Sequence, residues 1–473
     1  MTFQTLEYLI FLPLTFILYW TLCRGNKTLQ NGLIVIASLI FYGWWDWRFL
    51  GLLLLTAFST FFAGDLMGKT EDPKKRKLIL IGAILLNLGI LFFFKYFNFF
   101  VQAFIDAFSL FGADVEVSTL NILLPVGISF YTFSALSYSI DVYQKKVEPT
   151  KDILAYLAYV MFFPSILSGP ISRAQKTLPQ YFESRSFNYD VAVAACKAIL
   201  IGAVMKLCLA DRLAIYVNTV YSNIDQHNGT TLLFTSILYT LQIYADFAGY
   251  SLMAIGSGKL FGIELPTNFI RQYFAKTVTD FWRRWHISLT TWFRDYIYFP
   301  LGGNRCSKSR WMLNTMIVFT VSGLWHGAAY TFLIWGAFHG ACMVIERQVY
   351  GNKIKEISDN FSIANILRLA LTFLIVNFAW IFFRVNNLNE VMTIFKKIFT
   401  EPGELFVDID TFLLGFVALA IVFVYDFIKE KQLNIHLLSS KYIVVRYATA
   451  ILLIFYILAF GVLNGGSFIY FQF

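Results

Sequence analysis

FWRRWHISLTTWFRDYIYFPLGGNR at 281–305 and VSGLWHGAAYTFLIWGAFHG at 321–340 bracket the stretch that decides the fold. Three of the five histidines, His286, His326 and His339, fall within it. His326 ends one apolar run, and a second run begins directly after it. A titratable ring is thereby placed near or within a bilayer, where an ionisable group is expensive to keep and is a functional candidate by default. The rest of the chain reads as the scaffold that holds this stretch.

Working outward, composition agrees with a membrane scaffold. Only 14% of the 473 residues are charged, where a soluble domain carries about 25%. Hydrophobic residues make up 58%, and no polar stretch is long enough for a soluble domain. The expectation is an all-α, polytopic helical bundle forming one membrane domain over 1–473, with an extracytoplasmic aromatic tail at 465–473. A crossing needs about 20 mostly apolar residues. Runs at 5–22, 30–45, 49–67, 78–100, 122–142, 191–209, 231–250, 311–327, 330–348, 365–384, 410–428 and 442–463 qualify as candidates, giving about 11–12 spans plus re-entrant elements. The start has no basic segment and no small-residue cleavage site, so 5–22 is expected to be a first span and not a signal peptide.

Lys and Arg set the expected orientation. The loops at 24–27, 69–77, 145–151 and 429–431 are basic, whereas 111–121 and 222–231 lack Lys and Arg. The positive-inside rule then puts the basic loops in the cytoplasm and both termini outside. This alternation requires that 152–190 not cross. Pro164, Gly169, Pro170 and Pro179 would break a helix there, and the segment reads as a broken re-entrant element. Segment 251–310, rich in Arg and aromatic residues, reads as short interfacial or re-entrant helices on the cytoplasmic side. The net charge of +9 is assigned to loops beside anionic lipid and not to nucleic acid, since no long basic soluble segment exists.

Among chemistry-bearing residues, His326 suits a general base, because a neutral imidazole can take a proton from a hydroxyl. The bland alternative is a buried ring bonded to a backbone carbonyl. His286, beside Arg283, Arg284 and Trp285, is either an interfacial residue or a second active-site group. His339 reads as a packing or hydrogen-bonding residue, and His227 and His436 as solvated. Asp246, midway along a span, is the best functional candidate among the acids in apolar context, since an unpaired carboxylate there would be costly. Asp295 beside Arg294 reads as an ion pair. The five cysteines show no CxxC spacing, no HExxH is present, and no metal site is expected. Neither a Walker loop nor a GxSxG elbow occurs.

The 281–305 and 321–340 blocks closely resemble the membrane-bound O-acyltransferases, in the branch of bacterial alginate O-acetyltransferases and teichoic-acid D-alanyl transferases. FYGWWDW at 41–47, LPVGISFYTFSALSYSIDVY at 124–143, FFPSILSGPISR at 162–173, LQIYADFAGYSLMAIG at 241–256 and FAWIFFRV at 378–385 match the same branch in the same order. Leu252, where relatives often carry an acid, and Ser168, where Ala is common, depart from the pattern. The resemblance implies a helical bundle around a central cavity open to both sides. It implies that His326 corresponds to the catalytic histidine and His286 to a second essential one. Asp246, Arg284, Trp325 and Arg384 become candidates for the cavity or donor site. It further implies an activated acyl donor, acetyl-CoA or an acyl-carrier thioester, arriving from the cytoplasm. The acceptor is an exported polysaccharide, reached with an extracytoplasmic acyltransferase-like or esterase-like partner protein. The place is the cell inner membrane. FIYFQF at 468–473 is similar to a C-terminal aromatic motif of some of these systems, which makes Tyr470 a candidate acyl relay; the bland reading is an interfacial anchor. The competing functions are D-alanyl or other acyl transfer to teichoic acid or peptidoglycan and, in another class, a proton-coupled transporter.

Overall fold

The computed structural model describes residues 1–109, 120, 122–351, 362–385, 387–463, 465 and 468–469. Helices dominate, and no strand occurs among the described residues. Helices cover the twelve apolar runs, except that the run at 122–142 becomes helical only from Ile128. Most of the acidic 111–121 loop lies outside the described residues.

Among the described residues, six helical stretches are long and apolar enough to cross a membrane: Lys27–Gly68, Pro73–Ser109, Tyr189–Tyr221, Ile363–Arg384, Ile409–Glu430 and Ile443–Phe460. The other expected crossings are helical too, but are shorter, as Leu6–Thr21 is, or more polar, as Lys308–His326 is. No residue of Ile443–Phe460 is buried. A helix this apolar with most of its surface exposed is matched to lipid and not to water.

Local sequence explains where several helices begin. The Asn26 side chain accepts from the Thr28 and Leu29 N–H groups at the start of Lys27–Asp46. Ser307 caps Lys308–His326 through the Arg310 N–H, and Ser362 caps Ile363–Arg384 through the Asn365 N–H. Each cap satisfies donors that have no partner within the helix.

By its internal contacts the chain divides into two compact units. The first comprises Met1–Cys196 with Ala254–Pro266. Tyr8 Oη lies 2.7 Å from Ser257 Oγ, and Trp20 Nε1 donates to the Leu260 carbonyl at 2.9 Å, tying the first helix to the returning segment. The proline-rich stretch 152–190 is broken as expected, into the short helices Ile153–Val160, Phe163–Ile166 and Ala174–Thr177 and the turn Leu178–Tyr181.

The second unit comprises Lys197–Met253 with Thr267–Phe473. Its core pair is Lys308–His326 against Tyr330–Tyr350. A Cβ on Gly323 would collide with the Phe332 carbonyl oxygen, and one on Gly336 with that of Phe319. Small residues at both positions let the backbones approach closely, the usual means of packing helices in lipid. Segment 267–298 holds the short helices Val278–Arg284 and Ile287–Phe293 that its sequence suggests. The preceding helix runs further than its apolar run, from Gly229 to Leu260, because nothing in SLMAIGSGKL breaks it. An amphipathic helix at Leu388–Thr400 is absent from the sequence expectation. Its apolar positions are too few for a span.

Candidate active site

The second unit brings His286 and His326 together, with ring centroids 6.3 Å apart. Each arrives by a different local device.

His286 sits at the corner between two short helices. Thr277 Oγ1 caps Val278–Arg284 by accepting from the Asp280 N–H at 3.0 Å. The Glu346 carboxylate accepts from Val278 N–H at 2.8 Å and Thr279 N–H at 2.7 Å, fixing the same helix end to Tyr330–Tyr350. Trp285 is extended, and His286 takes the left-handed conformation, φ 42° and ψ 51°, before Ile287–Phe293 begins. A residue bearing Cβ costs about 1–2 kcal/mol there. Strain of this kind persists only when the surroundings over-determine it, and it gathers at functional sites. The surroundings here include a bond from Ile287 N–H to the Asn268 carbonyl at 3.0 Å and one from Ile270 N–H to the Arg284 carbonyl at 2.9 Å.

Asn268 sets the state of the ring. Its side-chain oxygen accepts from Ser288 N–H at 3.2 Å and Ser288 Oγ at 2.9 Å, while its Nδ2 donates to Ser251 Oγ at 3.2 Å. The Ser288 N–H can only donate, so the atom facing it is the amide oxygen. His286 Nδ1, 3.1 Å from that oxygen, must then carry the proton. Nε2 is left with the lone pair. Full burial disfavours the charged ring and takes it down to about 3, so it stays neutral.

His326 is the last residue of Lys308–His326, followed by an extended Gly327. Trp325, Trp335 and Phe383 surround its ring at 4.8, 5.0 and 5.2 Å between centroids. Trp335 in turn stacks on Trp380 at 5.6 Å. Exposure is 0% for His286 and 2% for His326. Reactants therefore reach the rings only when neighbouring side chains part.

Other sequence candidates fall in different places. Trp325 lies beside both rings, 5.9 Å from His286 and 4.8 Å from His326. Arg284 pairs with Asp280 at 2.9 Å and Glu430 at 2.8 Å, so its charge is already matched. Arg384 reaches Asn218 at 3.0 Å and lies over the Tyr221 ring. The buried Asp246 carboxylate is ion-paired with Lys206 at 2.7 Å. His339 accepts from Trp282 Nε1 at 3.3 Å, a hydrogen-bonding role. Arg294 pairs with Asp295 at 2.7 Å as the sequence suggests. Tyr470 lies outside the described residues. Among the described residues, no cluster of His, Cys, Asp and Glu could hold a metal ion.

Three participants escaped sequence reasoning. Asn268 carries no signal, being one asparagine in a loop. Trp335 is one of many aromatic residues in an apolar run. Lys206 does carry a signal: it is a cation near the C-terminal end of the 191–209 run, nine residues after Lys197.

Two buried imidazoles in an aromatic enclosure, one with a fixed tautomer, form a site able to accept a proton with little competition from water. The model of the membrane-bound O-acyltransferase family matches residues 39–391 of this chain, a region that contains both histidines. The chain belongs to the membrane-bound O-acyltransferase family. It is 37% identical to the probable alginate O-acetylase AlgI of Pseudomonas syringae pv. tomato, over 83% of this chain and 73% of that protein. It is 32% identical to the peptidoglycan O-acetyltransferase of Helicobacter pylori, over 82% and 77%. The teichoic acid D-alanyltransferase of Bacillus subtilis is 28% identical over 56% and 69%. As a membrane-bound O-acyltransferase the chain is an enzyme, which sets aside the transporter reading. Residues 392–473 lie beyond the matched region.

Proposed function

We propose that this O-acyltransferase transfers an acetyl group from a thioester donor, acetyl-CoA or an acyl-carrier thioester, to hydroxyl groups of an exported cell-envelope polysaccharide. The donor comes from the cytoplasmic side of the inner membrane, and the ester is formed for the outer side. The observation that carries this reading is the pairing of His286 with His326 inside a buried aromatic enclosure, in a chain similar to an alginate O-acetylase over most of its length.

In this scheme His326 is the general base. It takes the proton of an attacking hydroxyl as the oxygen bonds to the thioester carbonyl carbon, and the carbonyl oxygen gains negative charge. Collapse of that intermediate breaks the C–S bond, and the departing thiolate takes the proton back from His326. His286 holds the donor by accepting a hydrogen bond through Nε2. Trp335 supports stabilisation of the oxyanion, since its buried Nε1–H has no hydrogen-bond partner among the described residues and its ring lies 5.0 Å from that of His326. Preorganised donors aimed at developing charge are commonly the largest catalytic term.

The attacking hydroxyl is either that of the acceptor or the phenol of Tyr470. In the second case Tyr470 carries the acetyl group as an ester, and an extracytoplasmic partner protein passes it to the polymer. The first described residues upstream of Tyr470 support this, because Phe468 packs 5.5 Å from Phe247, which itself lies 4.6 Å from His286.

Base-labile acetate released from isolated envelope polymers tests the proposal. Cells carrying the wild-type protein release it, and cells carrying His286→Ala release little. D-alanine in place of acetate would overturn the choice of acyl group, and neither in place of acetate the choice of acceptor.

A further inference from the structure

After the exposed Ile443–Phe460 helix, the described residues of the chain meet the Val204–Tyr221 helical segment and Asp246 at four points. Arg212 Nη2 donates to the Phe460 carbonyl at 2.7 Å. Val462 N–H donates to the Leu207 carbonyl at 3.0 Å. Gly465 lies flat against the Asp211 carboxylate, where a Cβ would come within 2.7 Å of Cγ. Ile469 N–H donates to Asp246 Oδ2 at 2.9 Å. Phe468 and Ile469 end 2% and 7% exposed.

Local backbone makes the second point available. Val204–Ala210 is a π-helical turn. Widening to i→i+5 bonding disturbs the regular ladder, and such turns mark functional positions. Here the Leu207 carbonyl accepts from outside the helix.

Charge makes the third and fourth points. Lys206 Nζ lies 2.7 Å from Asp211 Oδ1 and 2.7 Å from Asp246 Oδ1, with the Lys206 side chain 1% exposed. Two carboxylates face one ammonium through Oδ1, so each keeps a buried Oδ2 that Lys206 does not meet. A buried charge needs further hydrogen bonds to be tolerated, and the Ile469 N–H supplies one. The tail and the ion cluster thus complete each other.

We propose that the Lys206–Asp211–Asp246 cluster is a latch for the C-terminal segment, and that Lys206 and Asp246 are positioning residues which fix where Phe468 and Ile469 lie relative to His286. The latch is distinct from the acyl-transfer chemistry, and its test reads position alone.

The test is thiol labelling in membranes with a small maleimide, mapped by peptide mass. Ile469→Cys places a thiol at the latched position. Cys196 is exposed and calibrates the reagent, while Cys208, 1% exposed and two residues from Lys206, reports on the fold of the latch helix. In the otherwise wild-type protein the new thiol should react far more slowly than Cys196. Adding Asp246→Leu leaves Lys206 matched one to one with Asp211, so the helix should hold while the tail is released. Labelling at 469 should then rise at least about tenfold, the scale of losing a hydrogen bond to a charged group, with Cys208 still protected. A second variant, Ile469→Pro, deletes the donor without touching the cluster. Limited carboxypeptidase digestion should then remove the tail faster than in wild type. Unchanged labelling and digestion would overturn the latch. Labelling of Cys208 together with position 469 would also overturn it, since the cluster would then hold the helix and not the tail.

Discussion

His286 Nδ1 faces the side-chain oxygen of Asn268 at 3.1 Å, and that oxygen is identified as an oxygen by the Ser288 N–H donating to it. One asparagine therefore decides which nitrogen of a buried histidine can accept a hydrogen bond. The strained backbone of His286, φ 42°, becomes understandable on this basis: the corner conformation is what turns Nδ1 toward Asn268.

Replacing Asn268 by Leu should remove the acceptor and free the tautomer. Turnover should fall about 100-fold, within the usual range for loss of a placed acid–base group, with the KM for the donor changing less. Asn268→Asp keeps an oxygen that can accept from both Ser288 and His286, and should recover much of the loss. Steady-state kinetics of the two variants, read as separate kcat and KM effects, check this. Equal losses in both variants would point to packing and not to the tautomer.

Trp335→Phe keeps an aromatic ring between His326 and Trp380 while removing the indole N–H. If that N–H meets the developing oxyanion, kcat should drop by about 10–100-fold with little change in thermal stability. Turnover within twofold of wild type would show that Trp335 only walls the site.

Gly336→Val should be a stability defect first. Its side chain would drive into the Phe319 carbonyl where the two histidine-bearing helices touch. Overpacking of this kind costs about 1–3 kcal/mol, visible as a lower Tm in detergent. Gly89→Val is the comparison, because nothing lies within 4 Å of a Cβ at Gly89. Similar Tm values for the two variants would contradict the close helix contact.

Tyr470→Phe separates relay from direct transfer. Under the relay, acetate on the polymer is lost while the protein still inserts and stays folded, and an acetyl mass appears on the C-terminal peptide of the wild type alone. Full acetylation by the variant would remove the relay and leave direct transfer.

The architecture was largely legible in the order of residues, for a physical reason. In lipid every backbone polar group must be satisfied within a helix, so an apolar run of sufficient length has few alternatives. That is why the apolar runs became helices, the one at 122–142 from Ile128 onward, while the prolines of 152–190 broke that segment. The two histidines that the sequence singled out also came together. What it could not show was pairing at a distance. Asp246 looked costly because its partner, Lys206, stands 40 positions earlier on another helix. Asn268 was invisible because a single asparagine in a loop has no periodicity to betray it. Arg284 and Arg384 were drawn toward the site by their neighbours in sequence, yet successive residues on a helix point about 100° apart, and Phe383 is the one that meets His326. The Leu388–Thr400 helix was missed because its apolar face is narrow and too short to span.

The central claim is that His326 takes the proton in transfer of an acyl group from a thioester. Its most direct test is a single-turnover experiment with purified protein in lipid nanodiscs, following release of free thiol from an acetyl thioester in the presence of an acceptor glycan. Wild-type protein should release thiol in step with ester formation, and His326→Ala, with unchanged Tm, should lose at least about 100-fold in rate. Thiol release by His326→Ala at the wild-type rate would contradict the account.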